Sequence, residues 1–111
     1  MMIHEEKKGA VTVLRPDGPL LGADVEGFRH KLLRTRVATM GRFVLDVSGL
    51  AYADSKGLET LVEVQEELAR AGQSLKLCGL NETLREVLDL TELAPRFESY
   101  SDVGSAVRSF L

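Results

Sequence analysis

The sequence predicts one α/β domain, in which a mixed, largely parallel β-sheet of four or five strands packs against about four helices. Its 111 residues suit a single domain of ordinary size. Short β-branched and apolar segments alternate with segments whose apolar residues recur every three or four positions. Alternating strands and helices imply crossover connections, which join parallel strands. We therefore treat residues 1–111 as one domain.

The chain begins with a predicted antiparallel pair at one edge of the sheet. Residues 10–15 are rich in β-branched side chains, and residues 3–8 can pair with them through a turn at residues 8–9. The charges of the first strand suit an edge position, because they discourage aggregation there. The following residues 16–19, with the sequence PDGP, predict a loop.

Strands and helices alternate through the rest of the chain. The predicted helices are residues 23–36, 55–71, 81–90 and 102–110, and the predicted strands are residues 42–47, 74–78 and 97–100. The strand at 42–47 is almost entirely apolar, as expected for a strand that is covered on both faces. Residues 48–53 are predicted to be a connection. Asn81 is suited to cap the third helix, and Gly72 to end the second.

The first two helices each have one apolar and one charged face. The apolar positions are Val25, Phe28, Leu32 and Leu33 in the first helix and Leu58, Leu61, Val62 and Leu68 in the second. The opposite face of the first helix is basic, with Arg29, His30, Lys31, Arg34 and Arg36. The opposite face of the second is acidic, with Glu59, Glu63, Glu66 and Glu67. Either face is an ordinary solvated surface or a site that attracts a partner of opposite charge.

Composition argues against several function classes. A net charge of -3 gives no overall attraction for nucleic acid or acidic lipid, so neither is an expected partner. No apolar stretch approaches the roughly 20 residues that span a membrane, and residues 1–8 do not resemble a signal peptide. A single cysteine, Cys78, has no disulfide partner in the chain and fits a buried strand. We expect a cytoplasmic protein.

No pattern in the sequence indicates catalysis, and we expect neither an enzyme nor a bound cofactor or metal. His4 and His30 are not at metal-ligand spacing, and no glycine-rich phosphate loop is present. Ser48 and Ser55 lack the surroundings of a hydrolase nucleophile. Asp46 lies within its strand, which disfavours a response-regulator receiver with a phosphorylated aspartate at a strand end.

The unusual segment is residues 50–58, where a strand gives way to a helix that begins at Asp54-Ser55. In open α/β sheets, functional groups collect in such loops. Either residue is a simple N-cap, or Ser55 is a modification site. A helix N-terminus stabilises a phosphate, and Lys56 would neutralise part of its charge. The same phosphate would be costly inside a partner interface.

Residues 44–50 (VLDVSGL) and 52–58 (YADSKGL) resemble the STAS domain, and specifically the bacterial anti-sigma factor antagonists. The similarity continues through residues 75–80 (LKLCGL), 87–93 (VLDLTEL) and Phe97, and so covers nearly the whole chain. The resemblance implies a STAS-like fold and a protein-binding module that is not an enzyme.

The same resemblance implies partner switching. The domain, unphosphorylated at Ser55, would bind an anti-sigma factor that is also a serine kinase of histidine-kinase-like ATPase fold, and thereby release a sigma factor. Phosphorylation of Ser55 would break the complex, and a metal-dependent serine phosphatase would restore it. The implied partner-binding residues are Gly22, Asp24, Tyr52, Asp54, Ser55, Lys56, Gly57, Leu58 and Glu59.

Two positions depart from the family pattern. Leu21 follows the Gly-Pro-Leu of residues 18–20, where relatives often carry an acidic residue, and Asp24 comes three positions later. Lys56 replaces a small residue at the helix start, where a cation opposes the helix dipole. An alternative role within the same fold is a regulatory subunit of a membrane lipid-transport ATPase, which would not require phosphorylation of Ser55.

Overall fold

Six strands form one mixed sheet in the computed structural model, which describes residues 1–111. The strands are β1 (Met2–Lys8), β2 (Val11–Leu20), β3 (Phe43–Asp46), β4 (Leu50–Ala53), β5 (Lys76–Cys78) and β6 (Glu98–Tyr100). The helices are α1 (Val25–Thr39), α2 (Ser55–Arg70), α3 (Glu82–Leu90) and α4 (Val103–Arg108). Short 3-10 turns lie at Gly22–Asp24 and Ala94–Arg96. The predicted α/β class and the four helices are confirmed.

The predicted hairpin and parallel sheet are also confirmed. Strands β1 and β2 pair in antiparallel fashion from Met2 opposite Asp17 to Lys8 opposite Val11. All other pairs are parallel, and the order is β1-β2-β3-β5-β6 with β4 paired to β2. Gly9 makes the hairpin turn with a φ of 64°, a conformation that glycine adopts without steric cost.

Two predictions about irregular segments were wrong, and both errors have one cause. Residues 16–19 belong to β2, and residues 48–53 contain the strand β4, so the sheet has six strands instead of four or five. Strand β2 pairs with β3 through residues 12–14 and then with β4 at Gly18 and Leu20, with a register shift between these two residues. Turn-forming residues are tolerated in β2 because the strand changes partner there.

Three helices cover one face of the sheet, and a single short helix covers the other. The larger core contains Phe28 and Leu32 of α1, Leu61, Val64 and Leu68 of α2, and Leu84 and Leu88 of α3, packed on buried strand residues. The smaller core contains Val11, Val13, Val44 and Cys78 under Ala106 of α4. The predicted helix faces are confirmed at Phe28, Leu32, Leu61 and Leu68, whereas Val64 was missed.

A buried lysine ties the C-terminal segment to the sheet. The Nζ of Lys76 in β5 donates a hydrogen bond to Ser109 Oγ at 2.8 Å and lies 4.3 Å from the centre of the Phe110 ring. Glu98 Oε1 lies 3.5 Å away. Nearby Cys78 is fully covered, and its burial, with smaller contributions from Asp46 and Asp102, raises the pKa of the thiol to about 12. A thiol reagent can therefore reach Cys78 only when α4 moves away, so the labelling rate of Cys78 measures how firmly α4 is held.

The packing of α2 predicts the effect of truncating Leu61. Leu61 is 3% exposed in the main core, so Leu61→Ala is expected to lower the free energy of unfolding by about 2–5 kcal/mol. Leu90→Ala is the matched control, because Leu90 is 84% exposed and its truncation is expected to change stability by less than about 0.5 kcal/mol. Urea unfolding measures both, and equal effects would contradict the assignment of the α2 core face.

The contacts of Lys76 predict that Lys76→Ala loosens α4. A hydrogen bond to a charged group contributes about 1.5–3 kcal/mol, so native-state labelling of Cys78 by a thiol reagent is expected to accelerate roughly tenfold or more. Lys7→Ala, which removes an exposed lysine of β1 that makes no ion pair, is the control and is expected to leave the labelling rate unchanged. A labelling rate unaffected by Lys76→Ala would show that this lysine does not hold the helix down.

Candidate functional site

The Asp54 carboxylate joins two loops at the end of the sheet where the parallel strands finish. Its Oδ1 accepts a hydrogen bond from the Gly57 N–H at 2.8 Å, which caps the start of α2. Its Oδ2 accepts from the Gly22 N–H at 2.9 Å, in the turn that precedes α1. Asp54 is therefore the N-cap of α2, and it also holds the Gly22–Asp24 turn against that helix.

A second side chain, Asn81, attaches the β5–α3 loop to the same region. Asn81 Oδ1 accepts from the Leu84 N–H at 2.8 Å and so caps α3, as predicted. Its Nδ2 donates to the Leu50 carbonyl in β4 at 3.0 Å. Two polar side chains thus hold the loops after β2, β4 and β5 in a fixed relation.

Ser55 is the first residue of α2, and its side chain is exposed. Because Asp54 performs the capping, the Ser55 hydroxyl makes no hydrogen bond within the domain. Of the two interpretations left open by the sequence, the simple cap applies to Asp54. The hydroxyl of Ser55 remains accessible at the positive end of a helix dipole.

Two opposite charges lie close to Ser55 along the helix. Lys56 is exposed and makes no ion pair, and its side chain passes over Gly22, where an added Cβ would lie 3.3 Å from Lys56 Cδ. Glu59 is exposed and unpaired, and it stands four residues after Ser55 on the same face of α2. A negative group on Ser55 would therefore be attracted by Lys56 and the helix terminus and repelled by Glu59.

Gly57 and Leu58 face inward and position the start of α2. A Cβ on Gly57 would lie 2.7 Å from the Leu20 carbonyl oxygen, so only glycine lets α2 approach β2 this closely. Leu58 is half-buried against the main core. Tyr52 of β4, three residues before Ser55, is in contrast 48% exposed.

The turn before α1 is held partly by its own carboxylate. Asp24 Oδ2 accepts from the Leu21 N–H at 3.3 Å, and Asp24 Oδ1 lies 3.4 Å from the amino group of Met1. The structure thus brings the predicted residues of this turn next to the 52–59 segment through the contacts of Gly22 with Asp54 and Lys56.

Most of the predicted acidic face of α2 is neutralised. Glu63 pairs with Arg29 of α1 at 3.0 Å, Glu66 pairs with Arg96 at 3.4 Å, and Glu67 pairs with Arg70. Only Glu59 has no ion-pair partner among the four glutamates. Arg29 and Arg96 come from distant parts of the sequence, and no local pattern indicated these pairs.

The hydrogen bonds to Asp54 predict a pH-dependent contribution to stability. The N–H groups of Gly57 and then Gly22 hold the pKa of the Asp54 carboxyl below its usual range, with a smaller favourable effect from Lys56. Because the pKa in the folded state lies below the unfolded value of about 3.9, the stabilisation is present above about pH 4. It is lost as the pH falls through the folded-state pKa.

We expect Asp54→Asn to destabilise the domain at neutral pH, since an amide can accept from Gly57 but not also from Gly22. The difference from wild type should shrink between pH 5 and pH 2 in urea unfolding. Asp89→Asn is the control, because the Asp89 side chain makes no hydrogen bond or ion pair. A difference that does not change with pH would contradict the capping role of the carboxylate.

No helix in the chain is both long and apolar enough to cross a membrane. Among solved structures, a candidate anti-sigma factor antagonist from Thermotoga maritima matches with a TM-score of 0.87 and 20% identity, covering 96% of this chain and 92% of that chain. The Bacillus cell fate determinant SpoIIAA in its phosphorylated form matches with a TM-score of 0.69 and 21% identity, covering 97% and 99%.

The murine anion transporter Slc26a9, in its inward-facing state, also contains this fold. It matches with a TM-score of 0.76 and 18% identity, covering 95% of this chain and 18% of the transporter. At such identities these likenesses establish the shared fold. The STAS domain family model matches residues 2–106, which confirms the resemblance drawn from residues 44–58. The chain therefore belongs to the STAS domain family.

Proposed function

We propose that this STAS domain is an anti-sigma factor antagonist whose binding is switched by phosphorylation of Ser55. In its unphosphorylated form it binds an anti-sigma factor with serine kinase activity and a histidine-kinase-like ATPase fold, and this binding frees a sigma factor. The observation that carries the proposal is the exposed Ser55 hydroxyl, which is left without a hydrogen bond because Asp54 caps α2. Ser55 can thus be modified without removing a contact on which the fold depends.

A phosphate on Ser55 is compatible with the fold. It adds about -1.5 to -2 charges at neutral pH, and the first turn of a helix stabilises negative charge. Lys56 is unpaired and one residue away, so it adds further attraction. We therefore expect the phosphorylated domain to keep its secondary structure and its stability.

The same phosphate is unfavourable inside an interface. A buried group of this charge loses its hydration, and the partner must supply a matching cation. The proposed contact surface consists of Tyr52, Ser55, Lys56 and Glu59, which are exposed. Tyr52 is its aromatic anchor, a residue type enriched among the residues that dominate binding energy.

The remaining predicted site residues have structural roles in the proposal, because they hold the start of α2 and the neighbouring turn in place. Asp54 and Gly57 fix the start of α2, Leu58 packs beneath it, and Gly22 receives the Asp54 carboxylate. Asp24 is engaged with the Leu21 N–H, within its own turn. Leu21 replaces the acidic residue that relatives often carry. We therefore propose that the kinase recognises the charges of Lys56 and Glu59 instead.

In this proposal the domain is a kinase substrate and a binder, and it catalyses no reaction. A serine phosphatase returns it to the binding form, and the cycle takes place in the cytoplasm. The similarity to a candidate anti-sigma factor antagonist and to phosphorylated SpoIIAA supports this assignment.

A second candidate function is a regulatory subunit of a membrane lipid-transport ATPase. The occurrence of the same fold within an anion transporter favours it. Such a subunit would bind an ATP-binding cassette protein whether or not Ser55 carries a charge. The state of Ser55 therefore separates the two functions.

The first test compares Ser55→Asp with Ser55→Ala. Both variants should fold, since Ser55 makes no internal hydrogen bond and an acid is favourable at a helix start. In a pull-down from the native host, Ser55→Ala should retain the anti-sigma kinase and Ser55→Asp should lose it. The retained kinase should transfer phosphate from ATP to wild-type protein and not to Ser55→Ala, as read by mass spectrometry. Retention of a transport ATPase by both variants would contradict the switch and support the second function.

The second test measures the charges around the phosphate. With phosphoserine introduced genetically at position 55, ³¹P NMR reports the second pKa of the phosphate, which is ordinarily about 6. Lys56→Ala should raise this pKa, and Glu59→Gln should lower it, because the two side chains carry opposite charges next to Ser55. Glu82→Gln, at the start of α3, is the control for an exposed carboxylate on another helix. A phosphate pKa that neither neighbour moves would show that they do not influence the phosphate.

A further inference from the structure

One end of the domain carries unpaired cations around exposed apolar side chains. Lys7, Arg34 and Arg42 are exposed, and none makes an ion pair, whereas neighbouring Lys31 is paired with Glu5. Between them, Val37 is 70% exposed and Met40 is 80% exposed. We call these five residues the basic patch. Its cations leave it positive although the chain as a whole carries a net charge of -3.

The basic patch is open, with two shallow depressions at its surface. Lys7, Met40 and Arg42 line one shallow depression of about 530 Å³, and Arg34 and Val37 line a second of about 530 Å³. Ala38 belongs to both depressions, so they adjoin. A surface of this shape accepts a protruding apolar side chain that is flanked by carboxylates.

Such a feature exists on α3 of the same chain. Leu90 is 84% exposed at the end of this helix. Glu86, Asp89 and Glu92 surround it in sequence, are exposed and make no ion pair. We call these four residues the acidic tip. Arg85, also exposed, reduces the local net charge of this segment to -2.

The basic patch and the acidic tip lie at the same end of the sheet. Helix α1 returns the chain to the start of β3, and α3 returns it to the start of β6, while both helices pack on the same face. Their C-terminal ends therefore lie where the parallel strands begin. Ser55 follows β4 at the opposite end.

We propose that a second copy of this chain docks here, with Leu90 of each copy in the basic patch of the other. Because patch and tip lie at one end and on one face, a two-fold axis between them forms both contacts in a closed dimer. Three cations then meet three carboxylates in each contact. The Ser55 surface stays free in the dimer, so this inference is independent of the proposed function.

A protein partner with matched acids fits these observations better than a polyanion or a membrane. The exposed apolar part of the patch is limited to Val37 and Met40, whereas a helix that binds a bilayer buries a large apolar face. The chain also supplies the complementary acids itself. Each contact centres on one leucine and three charge pairs, so we expect a weak and salt-sensitive dimer.

The test is sedimentation velocity over a range of protein concentrations and salt. At low ionic strength, where the Debye length is about 30 Å at 0.01 M, the sedimentation coefficient should rise with concentration to that of a dimer. At 1 M salt, where this length is about 3 Å, the rise should disappear. Sedimentation as a monomer at every concentration in low salt would overturn the proposal.

Variants identify the surfaces. Val37→Asp with Met40→Asp replaces the apolar side chains of the basic patch by carboxylates, and Leu90→Asp does the same in the acidic tip. Each variant alone should remain monomeric. An equal mixture keeps one of the two contacts, because the patch of the Leu90→Asp variant can still accept Leu90 of the other variant, while the second contact is lost. The mixture should therefore associate more than either variant alone and less than wild type. Thr83→Asp is the control, because Thr83 is exposed in the first turn of α3, at the other end of that helix from Leu90, where a carboxylate is favourable; it should dimerise like wild type.

Ser55→Asp should also dimerise, and a monomeric Ser55→Asp would contradict the separation of the two surfaces. All variants change exposed side chains, and circular dichroism with thermal melting checks that they fold. Dimerisation of Leu90→Asp alone would show that Leu90 does not form the contact and would overturn the patch-to-tip arrangement. Binding of heparin or of anionic phosphatidylglycerol vesicles through the patch, without dimerisation, would assign the patch to a polyanion or a membrane instead.

Discussion

The arrangement of the candidate site depends on a single carboxylate that accepts two backbone hydrogen bonds. Asp54 satisfies the Gly57 N–H at the start of α2 and the Gly22 N–H in the turn before α1. Helix starts leave N–H groups without partners, and a capping side chain usually serves only its own helix. Here both oxygens are used, and they bind two different elements. The exposed serine beside Asp54 therefore has a fixed position without contributing any bond to hold it.

The path of β2 explains why the loops can meet at this carboxylate. The strand pairs first with β3 and then, past Gly18, with β4, which directly precedes α2. This change of partner brings the end of β4 beside the end of β2, where the Asp54 N–H donates to the Leu20 carbonyl at 3.1 Å. Gly57 then allows α2 to lie against Leu20. The site thus rests on an irregularity in the sheet as much as on the helix.

Patterns within short stretches of sequence correctly predicted the features that short-range interactions determine. Period and composition located all four helices and the hairpin, and cap chemistry placed Asn81 correctly. Residues 16–19 were misjudged because turn-forming residues are tolerated where a strand changes partner, and that change is a long-range property. For the same reason, the sequence left the capping role open between Asp54 and Ser55, and did not reveal the pairing of Glu63 with Arg29. Contacts between distant segments leave no period in the sequence.

A switch placed on this end of α2 can act without a change of conformation. The first turn of a helix accommodates negative charge, so the domain itself is nearly indifferent to a phosphate on Ser55. A partner that covers Ser55 is not indifferent, because it must desolvate the same charge. The phosphate would then change the free energy of partner binding much more than the free energy of folding, provided that the start of α2 cannot move. The hydrogen bonds of Asp54 and the close approach at Gly57 supply that rigidity. These two residues therefore matter to the proposed switch, although neither of them would carry the phosphate.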